Sequence, residues 1–170
     1  MKNIAKYTAL LLLLVGLSTY AFAQVSATAT TSATIVAPIA ISKTLNMNFG
    51  NVAVIASSGT VVLAPAGTRT STGGVTLPAT AGTVTAATFT VTGSSGYTYA
   101  ITLPASATTI DDGASHTMTV DTWTSNPNST GTLTAGTSTL TVGATLNVGA
   151  SQVAGSYTSA TPFTVTVNYN

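Results

Sequence analysis

Residues 86–103 read AATFTVTGSSGYTYAITL, and this stretch decides the fold class. Apolar and polar residues alternate over 86–92 and again over 97–103, which is the pattern of half-buried strands. Four turn-forming residues, 93–96, separate the two runs, so we expect a β-hairpin. Pro104 ends its second strand, because proline cannot donate a ladder hydrogen bond.

Similar alternation recurs further along the chain, at 118–120 and 163–169. Turn-forming residues separate the runs, and turns are predicted at 73–74, 111–113, 126–128 and 149–150. No stretch after residue 23 combines helical apolar spacing with caps. Short strands punctuated by turns predict an all-β sandwich or barrel of antiparallel strands. Its apolar alternating positions should be mostly buried: Phe89, Val91, Tyr99, Ile101, Met118, Val120, Phe163, Val165 and Val167.

The N-terminus has the pattern of a secretory signal. Two lysines precede the apolar run 9–17, and small residues end at Ala23 before Gln24, which predicts cleavage between these two. The run is shorter than the roughly 20 apolar residues of a membrane span. We therefore expect a signal peptide, 1–23, and one exported domain, 24–170, in the periplasm, at the cell surface or outside the cell. No membrane span is expected in the mature chain.

Ionisable residues are nearly missing from the mature chain. Removing 23 of 170 residues leaves 147, among which the ionisable side chains other than tyrosine are Lys43, Arg69, Asp111, Asp112, His116 and Asp121. A net charge near −1 offers no basic surface for nucleic acid or anionic lipid. With no Cys and a single His, the chain cannot supply a tetrahedral zinc site. We expect no enzymatic activity and no cofactor.

The remaining polar candidates each have a plain structural interpretation. Residues 111–113, Asp-Asp-Gly, favour a turn, although these aspartates and backbone carbonyls could also bind calcium. His116 with Asp121 and a serine could suggest a triad, but no G-x-S-x-G elbow is present. Trp123 could form a platform for sugars together with four tyrosines, Tyr97, Tyr99, Tyr157 and Tyr169. For those that lie in alternating runs, burial in the core is the favoured interpretation.

The start of the mature chain alternates for unusually long. Odd positions from Val25 to Ile41 are apolar, with only Thr31 interrupting. At about 3.3 Å per residue this run would extend roughly 56 Å, more than the roughly 38 Å diameter expected for a domain of this size. Either it forms two consecutive strands of one sheet, or its first part leaves the domain and pairs with a neighbour. The candidate donor positions are Val25, Ala27, Ala29, Ala33 and Ile35.

Several segments together resemble a known family. Phe49-Gly50, the run 63–69, residues 73–75 and the ending 146–170 are similar to the bacterial exported domain-of-unknown-function family 4402, over nearly the whole mature chain. That family in turn is similar to spore coat protein U and to archaic chaperone–usher pilus subunits. The resemblance implies an immunoglobulin-like sandwich that the N-terminal strand of the next subunit completes. An arm of residues 24–37 would hold that strand, within 24 to about 35.

These observations favour a structural subunit of a surface fibre, pilus-like or coat assembly. Export, the neutral Thr-rich composition and the alternating arm all point to it, and its partners would be copies of itself or related surface subunits. The alternative is an extracellular binding or adhesion module, for example for glycans, which predicts an exposed aromatic cluster near Trp123. An enzyme is the least supported class, because the mature chain has so few ionisable side chains that could act in catalysis.

Overall fold

The computed structural model describes residues 24–170. The predicted signal peptide, 1–23, and Ala23 at its cleavage site lie outside the described residues. Residues 35–170 form one compact unit, and residues 24–34 do not belong to it. The described chain contains no helix that is long and apolar enough to cross a bilayer.

Twelve β-strands and no helix are assigned over residues 24–170, as the alternation predicts. The strands are β1 Ala40–Leu45, β2 Asn48–Phe49, β3 Ala53–Leu63, β4 Arg69–Thr76, β5 Val84–Thr85, β6 Ala87–Thr92, β7 Thr98–Thr102, β8 Thr108–Asp111, β9 Thr117–Asn126, β10 Thr130–Thr132, β11 Thr137–Val148 and β12 Thr166–Tyr169. Every pairing among them is antiparallel, so the all-β antiparallel sandwich is confirmed.

The larger sheet has seven strands and is organised by β11. Its order is β1-β6-β11-β3-β4, and β9 pairs with β11 and β8. The first half of β11 pairs with β6, up to Val142, and its second half pairs with β3, from Ala144 onward. Gly143 lies at the change of partner, where a Cβ would overlap the carbonyl oxygen of Leu63. Only glycine therefore allows the two backbones to approach so closely at this point.

The predicted hairpin of residues 86–103 is wrong. β6 lies in the seven-stranded sheet, whereas β7 lies in a second, three-stranded sheet of order β10-β7-β12. Residues 93–96 carry the chain from one sheet to the other, with the Gly96 N–H donating to the Leu133 carbonyl at 2.8 Å. Val91 of β6 and Tyr99 of β7 meet in one core cluster. The two alternating runs thus face each other across the core, because alternation specifies a buried face and not a partner strand.

The core consists of two clusters of buried side chains. The first core cluster is Ala87, Val91, Tyr99, Leu133, Leu140, Val142, Val165 and Val167. The second core cluster is Val61, Val75, Val120, Ala144, Leu146 and Val148. Met47 and Trp123 pack against both clusters. Each fully buried valine or leucine stabilises the fold by about 1.5–3 kcal/mol relative to an exposed one, so these clusters supply much of the apolar stabilisation.

Two further predictions need correction. Residues 73–74 are not a turn: both glycines lie inside β4, opposite an irregular stretch of β3 between Val54 and Gly59. Gly74 approaches the backbone of Ser57 so closely that no side chain would fit. The two consecutive strands considered for the alternating run from Val25 are also not formed, since residues 24–39 carry no strand assignment and β1 begins at Ala40. The connections at 111–113, 126–128 and 149–150 lie outside or at the ends of strands, largely as predicted.

Candidate functional site

A cavity of about 1280 Å³ opens into the compact unit where the two core clusters meet, and we call it the cleft. Two chain segments line it, residues 43–54 and residues 152–163. Core side chains from both clusters complete the lining: Ala87, Phe89, Ile110, Met118, Val120, Trp123, Leu146 and Val148. The cleft is therefore continuous with the hydrophobic core.

The cleft exposes residues that the alternation predicts to be buried. Five of the nine predicted core positions are buried, among them Val91 and Val167, but four are only half-buried. Three of these four, Phe89, Met118 and Phe163, line the cleft. The apolar residues two positions further along, Val91, Val120 and Val165, are buried, so these departures from the pattern are confined to the cleft. Apolar surface exposed in this way favours association with an apolar partner.

Little regular pairing covers the two lining segments. In the first, β1 ends at Leu45 and β3 begins at Ala53, and between them only β2, Asn48–Phe49, is paired, with the equally short β5. In the second, the described residues show one strand-like pairing, the isolated bridge between Thr158 and Asp111. Backbone groups of a segment that is not in a ladder remain free to pair with a further strand.

Specific hydrogen bonds nevertheless fasten both segments to the sheet. The guanidinium of Arg69 on β4 donates through Nη1 to the carbonyl oxygens of Phe49 and of Asn51, the latter at 2.9 Å. Thr158 and Asp111 exchange two backbone hydrogen bonds of 2.9 Å each. The cleft is thus bounded by walls that are attached to the sandwich at defined points.

The aspartates at 111 and 112 form the predicted turn. Asp112 Oδ1 accepts the N–H groups of Ala114 and His116 at 2.8 and 3.1 Å, and its Oδ2 lies 2.6 Å from His116 Nδ1. Asp111 Oδ1 accepts the Gly113 N–H at 3.0 Å. Burial raises the pKa of Asp112, but the hydrogen bonds from Ala114 and His116 together with the His116 charge outweigh it, so the pKa lies below its ordinary value of 3.8. These carboxylates organise a turn beside the Thr158 bridge.

The structure does not bring the residues of the triad interpretation together. The imidazole of His116 is hydrogen-bonded to Asp112 and not to Asp121. Asp121 instead accepts a hydrogen bond from Asn147 Nδ2 at 3.0 Å on the face of the large sheet. The described residues contain no group of three or more His, Cys, Asp or Glu side chains that could hold a metal ion.

The aromatic residues divide into separate groups. Trp123 lies against Phe163, with ring centroids 4.5 Å apart, and its indole N–H donates to the Ser106 carbonyl at 3.3 Å. Tyr99 is fully buried, as the core interpretation predicts. For Tyr97 the core interpretation is wrong: its side chain is 46% exposed and packs edge-on against Tyr169. Tyr157 joins Trp123 in the lining of the cleft.

The two sheets present free strand edges on the side of the cleft. Within residues 24–170, β12 pairs with β7 alone and β1 pairs with β6 alone. Because the Asn170 N–H donates to Thr98, the antiparallel alternation turns the backbone groups of Val167 and Tyr169 away from β7. Lys43 of β1 and Phe163, just before β12, both line the cleft.

A small hydrogen-bond network joins these edges at the other end of β1. The Ala37 N–H donates to Ser94 Oγ at 2.9 Å, and the Tyr169 hydroxyl donates to the Ala37 carbonyl at 2.8 Å. The Ser94 N–H in turn donates to the Tyr169 hydroxyl oxygen at 2.7 Å. The free edges of β1 and β12 are therefore tied at Ala37.

The predicted donor positions lie in an exposed segment. Residues 24–34 are all exposed and carry no strand assignment. Val25 is 93% exposed, and Ile35, the first residue of the compact unit, is 96% exposed. The arm expected over residues 24–37 is one residue shorter, because Ala37 is hydrogen-bonded to Ser94 and Tyr169, and we call residues 24–36 the arm from here on. Apolar side chains this exposed have no stabilising role in the isolated chain.

Sequence reasoning missed the first lining segment. Leu45, Met47 and Phe49 are apolar and alternate with Asn46 and Asn48, a pattern that predicts a half-buried strand. The structure forms only fragments of that strand, with Met47 and Phe49 facing the core clusters. The alternation over residues 45–49 is the sequence signal from which this segment of the cleft could have been found.

Comparison with known families gives one match. The family model described as a domain of unknown function, DUF4402, matches residues 39–169. No curated protein and no solved structure matches the chain. The matched residues contain the cleft and all twelve strands with their connections, while the arm precedes them.

Proposed function

The chain belongs to the DUF4402 family, and we propose that it is an exported, non-enzymatic structural subunit of a cell-surface fibre, pilus-like or coat assembly. In this proposal the arm of one copy enters the cleft of another copy, or of a related subunit, and completes its apolar core. The observation that carries the proposal is the cleft itself, an unfilled part of the core in a chain that also exposes an apolar segment.

The arm and the cleft are chemically complementary. Residues 24–42 contain no ionisable side chain, so the arm can be dehydrated without burying a charge. The cleft is lined by Lys43 but by no carboxylate of the described residues. Val25 and Ile35 would each contribute about 1.5–3 kcal/mol if a partner buried them fully, and the alanines less.

The length of the arm is also sufficient. Extended at about 3.3 Å per residue, the 13 residues 24–36 reach roughly 43 Å. An ordinary strand of about 5–6 residues spans roughly 17–20 Å, so the arm can provide a strand and still keep a link to its own domain. The free edges of β1 and β12 would supply the ladder hydrogen bonds of such a strand addition.

The predicted export signal and the placement of the ionisable residues support the remaining parts of the proposal. A subunit of a surface assembly has to be exported, and the N-terminal pattern predicts export. His116 is engaged by Asp112 within a turn, and Asp121 is engaged by Asn147. Replacing Asp111, Asp112, His116 and Asp121 together by Asn or Ala should therefore lower stability modestly and leave assembly intact.

The test removes the arm and returns it as a peptide. The mature chain, 24–170, should form polymers visible by electron microscopy, and deletion of residues 24–34 should abolish them. A synthetic peptide of residues 24–37 should bind the deleted variant and shift the emission of Trp123, which is the single tryptophan of the chain and lines the cleft. A peptide of the same composition in scrambled order is the control.

The outcomes separate the alternatives for the arm. If the arm completed the cleft of its own chain, the mature protein would stay monomeric at high concentration and the deletion would unfold it. If the arm had no role, the deleted variant would remain folded and polymerise as well as the mature chain. Either result would contradict the proposal.

An extracellular glycan-binding module is the second candidate, and the cleft lining gives it one supporting observation. Trp123 and Tyr157 line the cleft together with the amide side chains of Asn48, Asn51 and Gln152. These amides are already hydrogen-bonded within the chain, to Gly50, Thr80 and Tyr157 respectively. A glycan array read on the arm-deleted variant tests this function, and binding there with no polymer from the mature chain would favour it.

A further inference from the structure

The mature chain has two methionines, Met47 and Met118, and both line the cleft. They reach it from different elements: Met47 lies between β1 and β2, and Met118 lies on β9. Both are half-buried, so neither is sealed inside the core. Both thioethers of residues 24–170 therefore face the same cavity.

The methionines occupy positions at which polarity would matter. Met47 packs against both core clusters, and Met118 packs against the second. Thioethers are adaptable apolar contacts, suited to a surface that has to accept another chain. Oxidation to the sulfoxide would turn each of them into a polar, chiral group with a strong hydrogen-bond acceptor.

We propose that Met47 and Met118 are a paired oxidation site, modified by hydroperoxides, that converts the cleft from an apolar to a polar cavity. The sulfur lone pair attacks the distal oxygen of the hydroperoxide, the S–O bond forms and the O–O bond breaks. Sulfur loses two electrons, the proton of the attacked hydroxyl moves to the other peroxide oxygen, and that oxygen leaves as water or an alcohol. The chain has no cysteine that would compete for the oxidant.

The consequence for assembly rests on the proposed function. An arm strand cannot satisfy a sulfoxide oxygen with its apolar side chains, so an oxidised cleft should reject it. An occupied cleft should in turn protect both thioethers, because the inserted strand would cover them. Oxidation would then prevent new assembly without dismantling existing polymers.

The experiment treats the arm-deleted variant, residues 35–170, and the mature chain with hydrogen peroxide. In the arm-deleted variant, peptide mapping by mass spectrometry should show one added oxygen on each methionine, at a rate within about tenfold of free methionine, whereas polymers of the mature chain should react at least tenfold more slowly. Bound 24–37 peptide should slow both reactions at least tenfold. After oxidation, affinity for that peptide should fall at least tenfold. The Met47→Leu/Met118→Leu double variant, which keeps apolar side chains of similar volume, should keep its affinity after the same treatment.

A readout on the free domain keeps this inference separate from the proposed function. Peroxide should lower the melting temperature and shift the Trp123 emission of the arm-deleted variant, and should change neither in the double leucine variant. If the peptide bound neither form, the proposed function would fail while these changes still established the oxidation site. Methionines that stayed unmodified, or oxidation that altered neither readout, would overturn the inference.

Discussion

The indole ring of Trp123 lies 4.5 Å from the phenyl ring of Phe163, centroid to centroid, with the ring planes inclined by 38°. Trp123 belongs to β9 and Phe163 to the irregular segment before β12, so this contact attaches the second lining segment of the cleft to the large sheet. Phe89 of β6 meets the same phenyl ring edge-on at 6.5 Å. Phe163 thus connects the two aromatic residues that line the cleft from the sheet.

Replacing Phe163 with Ala should enlarge the cleft and loosen the second lining segment. Because the ring is half-buried, we expect a loss of about 2–3 kcal/mol in the free energy of unfolding, below the range for a fully buried phenylalanine. The Trp123 emission should move to longer wavelength as water reaches the indole. Urea unfolding followed by that fluorescence measures both effects. Ile55→Ala, at a site 63% exposed, is the control and should cost under about 1 kcal/mol.

Replacing Arg69 with Met should release the first lining segment. The substitution keeps an apolar stem of similar length but removes the donors to the Phe49 and Asn51 carbonyls. Two carbonyls lose a charged partner, so we expect a cost of about 1–3 kcal/mol. Hydrogen exchange of residues 43–54 should accelerate more than that of β11. Lys43→Met removes an exposed bond to Asn46 and should leave exchange in this segment unchanged. Equal exchange in the two variants would contradict this role of Arg69.

The sequence predicts buried faces better than it predicts neighbours. Alternation correctly identifies Val91, Tyr99 and Val167 as core residues and the chain as all-β. It cannot distinguish a hairpin from two strands that face each other across a sandwich, because both place the same side chains inward. This ambiguity explains why the hairpin predicted for residues 86–103 is wrong. The glycines at 73–74 misled for a related reason, since close backbone approach and turns both require glycine.

The cleft was less predictable than the fold. Phe89 and Phe163 have the same alternating pattern as Val91 and Val165, yet they line a cavity and are half-buried. Whether an apolar face is filled depends on all the elements packed over it, and a periodic pattern in one strand does not contain that information. The exposed arm is a similar case. Its alternating pattern predicts a strand, yet residues 24–36 carry no strand assignment in the structure.

The turn at Asp112 should make stability depend on acidity. The pKa of Asp112 lies below 3.8 in the folded chain, so its ionised form stabilises the fold above the unfolded-state pKa. That contribution should vanish as the pH falls through the folded-state value. Asp112→Asn should therefore be less stable than the native chain at pH 7, and the difference should narrow below about pH 3.8. Thermal unfolding across pH 2–7 measures it, and a constant difference would argue against the ionised carboxylate as the cause.

Charges placed along the arm should reveal which of its faces is buried in an assembly. Ala29 and Ala33 belong to the apolar set of the alternation, and Thr28 and Thr30 belong to the polar set. In a paired strand these sets point to opposite faces, so Ala29→Asp or Ala33→Asp would bring an unpaired carboxylate into the apolar cleft of a partner. Burying such a charge costs several kcal/mol, enough to abolish polymers at micromolar concentration.

Thr28→Asp and Thr30→Asp are the matched controls, because they add the same charge at neighbouring positions on the other face. We expect them to weaken assembly by less than about tenfold, through repulsion and altered solvation alone. The critical concentration for polymer formation, measured by light scattering and checked by electron microscopy, gives the comparison. Ala29→Val should have the opposite effect and lower that concentration, since each added methyl(ene) group buried contributes about 0.8 kcal/mol. Equal loss of assembly in the alanine and threonine variants would show that the arm does not pair as a strand with one buried face.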